Sequence, residues 1–207
     1  MEQAGNVTRA ERNPDATRQR ILDSAFYQMY RKGYQGMRLD EVLAETELTK
    51  GALYHHFPNK LALGYAVVDE VILPIMDGIF LQPLKKTSEP LQALVEVIRS
   101  IPDAKPAEVI QYGCPLNNLA QEMSPLDEGF RQRIDYIFRI WHDAIAQTLE
   151  RAQHQGALRT DIDCDATATF IMAALEGCFS IAKTAQSKER LATCNHGLID
   201  YLLSLRA

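Results

Sequence analysis

The stretch that decides the fold is Thr49-Lys50-Gly51-Ala52-Leu53-Tyr54-His55-His56-Phe57-Pro58-Asn59-Lys60. It predicts a short helix that begins after Thr49, because a threonine hydroxyl caps the free N–H groups at a helix start. That helix ends before Pro58, since the residue that precedes a proline disfavours α geometry. Asn59 then caps a longer helix. Within the short helix, Leu53 is the residue that we expect to face the interior.

Another short helix is predicted immediately upstream, over 39–45, with Leu39, Val42 and Leu43 turned inward. The turn between the two helices is Thr46-Glu47-Leu48. Two short helices joined in this way have the geometry in which the second lies in the major groove of DNA while the first braces it. The sequence therefore predicts a helix-turn-helix over about 37–56.

The polar groups of this segment suit contact with a DNA backbone. Thr49 places a hydroxyl and free N–H groups at a helix start, where phosphate binds readily. Gly51 has no side chain, so the helix can approach the groove closely. The residues that we predict to contact DNA are Arg38, Thr49, Lys50, Gly51, Tyr54, His55 and Lys60. Each has a plain alternative role as a helix cap, a solvated lysine or part of an aromatic surface cluster, and it is their ordered combination that favours DNA binding.

The rest of the chain is predicted to be helical as well. Asn13-Pro14-Asp15 starts a helix over 14–32 that Gly33 ends, and residues 1–13 are expected to form a mobile arm. The further predicted helices are 60–81, kinked at Pro74, then 89–101, 107–123 with a break at 113–115, 125–155, 164–185 and 187–205. Period-2 strand patterns are absent from the sequence. The fold class is thus all-α, with about nine helices.

The charge is distributed unevenly along the 207 residues. The formal net charge is −5. Residues 1–60 hold nine Lys and Arg against eight Asp and Glu, a net of +1, and residues 61–207 hold thirteen against nineteen, a net of −6. The front section can therefore present a basic face if its acids point elsewhere. Neither a signal peptide nor an apolar run of about 20 residues is recognisable, which predicts a cytoplasmic protein without a membrane partner.

Several classes of site are not indicated by the sequence. The four cysteines (Cys114, Cys164, Cys178, Cys194) lack zinc-binding spacing and are expected to be reduced and mostly buried. No metal site is expected at His55 and His56, because adjacent side chains diverge on a helix, and no cofactor is indicated. The glycine and nucleophile motifs of common enzymes are missing. An enzyme, or a helical adaptor that does not bind DNA, remains the alternative class.

Residues 17–65 closely resemble the DNA-binding domain of the TetR family of regulators. The matching segments are 17–25 (Thr-Arg-Gln-Arg-Ile-Leu-Asp-Ser-Ala), Gly33-Tyr34, Leu39-Asp40-Glu41-Val42 and the whole of 49–60. The resemblance implies a DNA-binding domain over 14–60 and a helical ligand-binding and dimerisation domain over 61–207. It also implies a homodimer that pairs through the last two long helices, a palindromic operator in double-stranded DNA, and a small-molecule inducer that releases a repressor.

Three residues depart from the family pattern. Arg38 stands where Ser or Thr usually caps the first helix of the motif, and Leu43 replaces a small residue. Glu47 replaces the usual turn glycine, so that it either adopts a positive φ or reshapes the turn.

The resemblance also suggests where a ligand would bind. The predicted pocket residues are Tyr112, Cys114, Leu116, Leu119, Phe138, Trp141, Met172, Glu176 and Phe179, with Trp141 the strongest choice. Ordinary core packing is the alternative for every one of them. The same is true of the apolar faces 171/175/179/182 and 191/198/202/205, which pack either across a dimer or within one subunit.

Cys114 has two interpretations. Gly113-Cys114-Pro115-Leu116 places a thiol at a helix start, which lowers a thiol pKa, and a similar segment occurs in relatives that sense oxidants or electrophiles. The alternative that we favour is a buried thiol that behaves as a small apolar side chain.

Overall fold

The computed structural model describes residues 14–85, 87–104 and 106–207. Over these residues it contains ten helices: α1 Pro14–Gly36, α2 Leu39–Thr46, α3 Lys50–His56, α4 over 60–85, α5 Pro90–Ala104, α6 Pro106–Tyr112, α7 Pro115–Met123, α8 Glu128–His154, α9 Cys164–Ala185 and α10 Lys188–Ser204. The all-α prediction is confirmed, and the predicted break at 113–115 separates α6 from α7. The predicted mobile arm 1–13 and the Asn13 cap lie outside the described residues.

Helices α1, α2 and α3 form a small three-helix head. Its core consists of side chains from all three helices that are 7% exposed or less, namely Ile21, Leu22, Phe26, Val42 and Leu53. These residues follow the helical spacing of the sequence, so burial of their apolar surface fixes the three helices against one another. Gly33 has φ 76° and ψ 167°, which breaks α1 at the residue predicted to end it.

The turn of the helix-turn-helix tolerates the unusual Glu47. Glu47 adopts φ 53° and ψ 31°, a left-handed conformation that disfavours a side chain. Its backbone N–H donates to the Leu43 carbonyl, and the Leu48 N–H donates to the same oxygen. The Arg20 guanidinium adds a bond of 2.5 Å to the Thr46 carbonyl. These bonds hold the turn in the form that glycine usually occupies.

Helix α4 leads out of the head and is continuous but not uniform. The α-helical parts Lys60–Val67, Leu73–Met76 and Gln82–Lys85 are joined by π-helical turns at Val68–Ile72 and Asp77–Leu81. Pro74 has no N–H to donate and its ring crowds the carbonyl four residues earlier. The first π turn lies directly before it and widens the helix there, so the helix continues through Pro74 instead of ending.

Helices α5 to α10 form the body around the long α8. Trp141 and Phe130 of α8 are 1% and 0% exposed. By length and apolar composition, α9 is the one helix among the described residues that could span a membrane, with a mean hydropathy of 1.3. Its residues Ile171 and Leu175 are nonetheless buried against neighbouring helices, as in a core helix.

The apolar faces of α9 and α10 pack within one subunit. The residues concerned, Ile171, Leu175, Phe179, Ala182, Leu191, Leu198, Leu202 and Leu205, are at most 6% exposed in the single chain. Of the two interpretations open from the sequence, internal packing is therefore the one that the structure adopts for these side chains.

The expectation of four reduced cysteines is wrong for two of them. Cys178 on α9 and Cys194 on α10 form a disulfide, with their Cα atoms 5.5 Å apart. The tight connection between the two helices folds them into an antiparallel hairpin and brings the two thiols together, which the spacing of 16 residues does not reveal. Cys114 and Cys164 are free and buried, as expected.

The head is attached to the body through the carboxylate of Glu122 on α7. Its two oxygens accept the backbone N–H groups of Tyr34 and Gln35, each at 2.8 Å. The carboxylate lies in the notch at Gly33, where a Cβ would come within 2.7 Å of it. The positive φ and the close approach both require glycine at this position.

We expect Glu122→Ala to lower the free energy of unfolding by about 1–2 kcal/mol, because two charge-assisted hydrogen bonds to the backbone are lost. The measurement is urea denaturation at matched protein concentration. Gln121→Ala, on the exposed side of the same helix, is the control and should change stability little. Equal effects of the two substitutions would contradict this role for Glu122.

Candidate functional site

Helix α3 is positioned by its caps and by one buried anchor. Thr49, with extended backbone, accepts the Ala52 N–H on its Oγ1 at 3.2 Å. Leu53 is fully buried in the head, whereas Tyr54 is 49% exposed and Lys50 and His55 are exposed as well. The helix thus turns a polar surface outward from a fixed apolar base.

Gly51 lies on this outer surface, and the fold itself does not need a glycine there. A Cβ at Gly51 would meet Thr49 Oγ1 at 3.9 Å, which is an ordinary contact, and nothing closer. Glycine in a helix is destabilising by about 0.5–1 kcal/mol relative to alanine. The missing side chain therefore leaves room outside the head, where an approaching ligand would come close to the backbone.

Two acids of the head, Glu41 and Glu45, are engaged by residues of α1 and not by α3. Glu41 pairs with Lys32 at 2.6 Å, and Glu45 accepts hydrogen bonds from Ser24 and Gln28. Asp40, by contrast, pairs with α3, because its carboxylate lies 3.3 Å from Lys50 Nζ. Both side chains of that pair are more than 70% exposed, so the ion pair is weak and easily exchanged for another partner.

The remaining predicted contact residues, Arg38 and Lys60, are placed differently. Arg38 is exposed at the start of α2 and makes no side-chain cap bond there, as expected for a weakened cap. Lys60 donates to the Gln35 carbonyl at 3.1 Å and lies 4.8 Å from the centre of the Tyr34 ring. Partial burial lowers the pKa of Lys60. Its ammonium thus binds the end of α1.

The predicted pocket residues do not line one common cavity. Trp141 packs against Phe80 and Phe138, with ring centres 4.6 and 6.4 Å apart. Its indole nitrogen has no hydrogen-bond partner among the described residues. Leu116 and Leu119 are buried in the core, and Tyr112 contacts the Tyr30 ring. Met172 is half-buried on α9.

Cys114, Glu176 and Phe179 are the predicted pocket residues that the structure does bring together. Burial raises the pKa of the Cys114 thiol well above its usual value, and the nearby Glu176 carboxylate raises it further. Burial likewise raises the pKa of Glu176 to about 7. Cys114 and Asn117 lie near this carboxylate, but neither is aligned for a hydrogen bond, so both oxygens are buried without a partner. Cys114 thus matches the buried thiol that we favoured.

Cys114 and Phe179 also line a small cavity between head and body, which we call the junction cavity. Its volume is about 80 Å³, and its walls come from α1, α4, the α6–α7 corner and α9. Phe26, Tyr27 and Tyr30 of the head form one wall. This cavity could not be predicted from the sequence, because side-chain periodicity does not show where helices from distant parts of the chain leave space between them.

A larger opening of about 900 Å³ lies between α4 and α8. It is an open groove with charges of both signs, among them Asp77, Lys85, Glu150 and Arg151. Such a surface resembles ordinary solvated protein more than an enclosed ligand site. Among the described residues, no group of three His, Cys, Asp or Glu side chains is placed to hold a metal ion.

Comparison with known proteins matches both parts of the chain. Residues 21–67 match the family model "Bacterial regulatory proteins, tetR family", and residues 88–198 match "Tetracyclin repressor-like, C-terminal domain". The chain is 30% identical over 175 residues to the transcriptional regulator AcuR of Cereibacter sphaeroides, covering 82% of this chain and 78% of that protein.

Two further proteins support the same similarity. An uncharacterized HTH-type transcriptional regulator in the lacX 3′ region of Lactococcus lactis is 32% identical over 133 residues, which is 64% of this chain and 68% of that protein. The crystal structure of a TetR transcriptional regulator from Chloroflexus aurantiacus superposes with a TM-score of 0.83 at 25% identity, covering 94% of this chain and 98% of that one.

We expect Glu176→Gln to stabilise the protein at pH 8 and to have little effect at pH 5. Because its folded-state pKa is raised from 4.5 to about 7, Glu176 lowers stability as pH rises between these values, and the penalty is complete above them. The expected gain at pH 8 is about 2–3 kcal/mol. Urea denaturation at both pH values measures it, with exposed Glu150→Gln on α8 as the control. A gain that does not depend on pH would contradict the raised pKa.

Proposed function

Because the chain belongs to the TetR family of transcription regulators, we propose that it binds a palindromic operator in double-stranded DNA as a homodimer and represses transcription until a small molecule releases it. The observation that supports this most directly is the outer surface of α3, where a free helix start, an exposed lysine and an unneeded glycine occur together. We further propose that the protein acts in the cytoplasm and is not an enzyme.

In the proposed complex, α3 enters the major groove while α2 braces it. The Thr49 hydroxyl and the first N–H groups of α3 contact a phosphate, and Lys50 exchanges Asp40 for a second phosphate. Gly51 lets the helix backbone approach the DNA closely. Tyr54 and His55 reach the groove edge, and Arg38 contacts the backbone from the start of α2. Lys60 contributes positive potential beside α3 while it remains bound to the end of α1.

The proposed dimer uses the outer faces of α9 and α10, because their inner faces are occupied within the subunit. Phe170 and Ile181 on α9 are 51% and 53% exposed, which is unusual for such large apolar side chains. Tyr201 of α10 lies beside Phe170, with ring centres 5.0 Å apart. Gly177 and Gly197 have open space around them, so that a partner helix can approach closely. Paired helices here form the four-helix bundle expected of the family.

The small molecule is proposed to bind in the helical body. Cys114, Glu176 and Phe179 support a site near the start of α7, since they combine apolar walls with a buried carboxylate that lacks a partner. The other predicted residues, including Trp141, Phe138, Met172, Leu116 and Tyr112, form its surroundings in this proposal. Reaction of Cys114 with oxidants is not favoured, because its raised pKa leaves little thiolate.

We expect Lys50→Ala and Gly51→Ala to weaken operator binding without loss of stability. Lys50→Ala removes one phosphate contact and should lower the slope of log affinity against log salt by about one. Gly51→Ala should leave the free energy of unfolding unchanged or raise it by up to about 1 kcal/mol. Its added methyl group should block the close approach of the α3 backbone to DNA. Fluorescence anisotropy with DNA that flanks the gene, at several salt concentrations, measures operator affinity. Thermal unfolding measures stability.

Lys85→Ala, far from α3 and paired with Asp77, is the matched control for charge. If the control and the two α3 variants bound operator alike, the proposed docking of α3 would be wrong. If the wild-type protein showed no specific binding to any fragment flanking its gene, the proposed function itself would fail.

We expect Ile181→Asp to convert the dimer into monomers, because a charge is placed in the centre of an apolar interface. Sedimentation velocity measures the mass, and operator affinity should fall with it, since one head alone cannot bind both half-sites. Leu126→Asp, at a 62% exposed position before α8, is the control. A dimer that persists with Ile181→Asp would place the interface elsewhere.

A further inference from the structure

We propose that the junction cavity is an effector site for a compact, uncharged, apolar molecule, and that the occupant acts on the head through Tyr30. This inference deepens the proposed function: it names the ligand class and the place where binding reaches the DNA-binding helices. Ligand binding is measured in the absence of DNA. A protein that binds no ligand can therefore be distinguished from a protein that binds no operator, which is the failure of the proposed function.

The position of the cavity is the first argument. One wall belongs to α1 of the head, and the opposite walls belong to the connecting helix α4, with Ile75 and Ile79, and to the body, with Val109 of α6. An occupant would therefore touch a DNA-binding helix and the body at the same time. A ligand buried wholly within the body would have to act through intermediate helices.

The chemistry of the walls determines the ligand class. Almost all of the lining surface comes from apolar atoms. Burial raises the pKa of Cys114 and of Tyr30, so both groups are neutral at physiological pH. The Tyr30 hydroxyl already donates to Gly113 O at 2.5 Å. Among the described residues that line the cavity, Glu108 is the one that carries a charge. Little remains to solvate an ion, so an uncharged ligand is favoured.

The volume limits the ligand size. An enclosed apolar cavity of about 150 Å³ in another protein stays dry and binds benzene or xenon. The junction cavity, at about 80 Å³, is about half that size, so as it stands it holds roughly three or four non-hydrogen atoms, and a ring of five or six atoms fits only when the walls move apart. Short aliphatic chains and small rings meet this limit.

Two sets of hydrogen bonds, which we call the Tyr30 tie and the Glu122 tie, hold α1 to the body. The cavity adjoins the Tyr30 tie. Tyr30 bonds to Gly113 O and, at 3.3 Å, to Glu108 O. Glu122 holds the end of α1 one turn further along. An occupant larger than the resting cavity is accommodated when α1 moves away from the α6–α7 corner, which breaks the Tyr30 bond and leaves the Glu122 tie as a pivot. It shifts the protein towards the displaced form to the extent that it binds that form more tightly.

Cyclopentane tests the ligand class, with cyclopentylammonium and cyclopentanecarboxylate as charged probes built on the same ring. The full-length protein carries labelled isoleucine methyl groups, so that Ile75 and Ile79 report on the cavity, and Ile162, between α8 and α9 and not a wall residue, serves as the internal control. We expect cyclopentane to shift the two cavity signals saturably and to leave Ile162 unchanged. No saturable shift at Ile75 and Ile79, or binding of a charged probe as tight as that of cyclopentane, would overturn the ligand class.

Filling the cavity tests its location. Ile79→Phe should abolish the cyclopentane response while specific operator binding is retained. Val109→Leu adds one methylene from the opposite wall and should weaken the response even if Ile79→Phe does not fold. Leu126→Phe, outside the cavity, is the matched control and should respond as the wild type does. Unaltered cyclopentane binding by both cavity variants would overturn the site.

Operator binding tests the effector role. We expect saturating cyclopentane to lower operator affinity by roughly fivefold or more, the usual range of allosteric coupling. Tyr30→Phe keeps the ring and removes the hydroxyl tie, so it should bind cyclopentane as before but lose most of this effect on DNA. Ligand binding without any change in operator affinity, or a wild-type response in Tyr30→Phe, would overturn the route through Tyr30.

Discussion

The corner where the end of α1 meets the body depends on one carboxylate in a notch. Glu122 accepts the N–H groups of Tyr34 and Gln35, which are free only because Gly33 breaks the helix before them. Lys60, directly after the DNA-facing segment, binds the carbonyl of the same Gln35. The start of α4, the end of α1 and the end of α7 therefore share one hydrogen-bonded corner. These bonds hold α7 and the head in a fixed relative position at this corner.

Aromatic packing supports the same corner. The Tyr34 ring lies 4.6 Å from that of Phe130, and Tyr65 packs on the other side of Phe130 at 5.1 Å. Gly64 is required here, because a Cβ would come within 2.6 Å of the Tyr34 ring. The Tyr65 hydroxyl donates to Asp127, which also caps α8. The polar tie and the apolar stack thus restrict the head in different directions, and neither alone defines its orientation.

The parts of the structure that follow from local rules could be predicted from the sequence. The Thr49 cap, the inward Leu53 and the stop at Gly33 each depend on a few neighbouring residues, and all three are found in place. The break between α6 and α7 was predicted for the same reason. Family resemblance added the overall arrangement of the two parts.

Features that depend on partners distant in sequence could not be predicted in this way. The apolar stripes of α9 and α10 indicated burial but not which helices would cover them. The Cys178–Cys194 bond depends on the rotation of two helices about their axes. The junction cavity depends on small mismatches between α1, α4 and the α6–α7 corner, and side-chain periodicity carries no information about such mismatches. In the sequence, Glu122 cannot be distinguished from a surface glutamate, because its partners, the backbone N–H groups of Tyr34 and Gln35, are distant along the chain.

The two π turns of α4 have a consequence for how this helix tolerates changes in length. Each π turn holds one residue more than an α-helical turn, so the loss of a residue within 68–81 can convert a wide turn into a regular one. The side chains beyond the deletion then keep their orientation about the helix axis. The loss of a residue from α3, by contrast, would rotate every later residue of that helix by about 100°. A single-residue deletion within 68–81 should therefore be tolerated better than one in α3, and α4 can change length there while the helices at its two ends keep their packing.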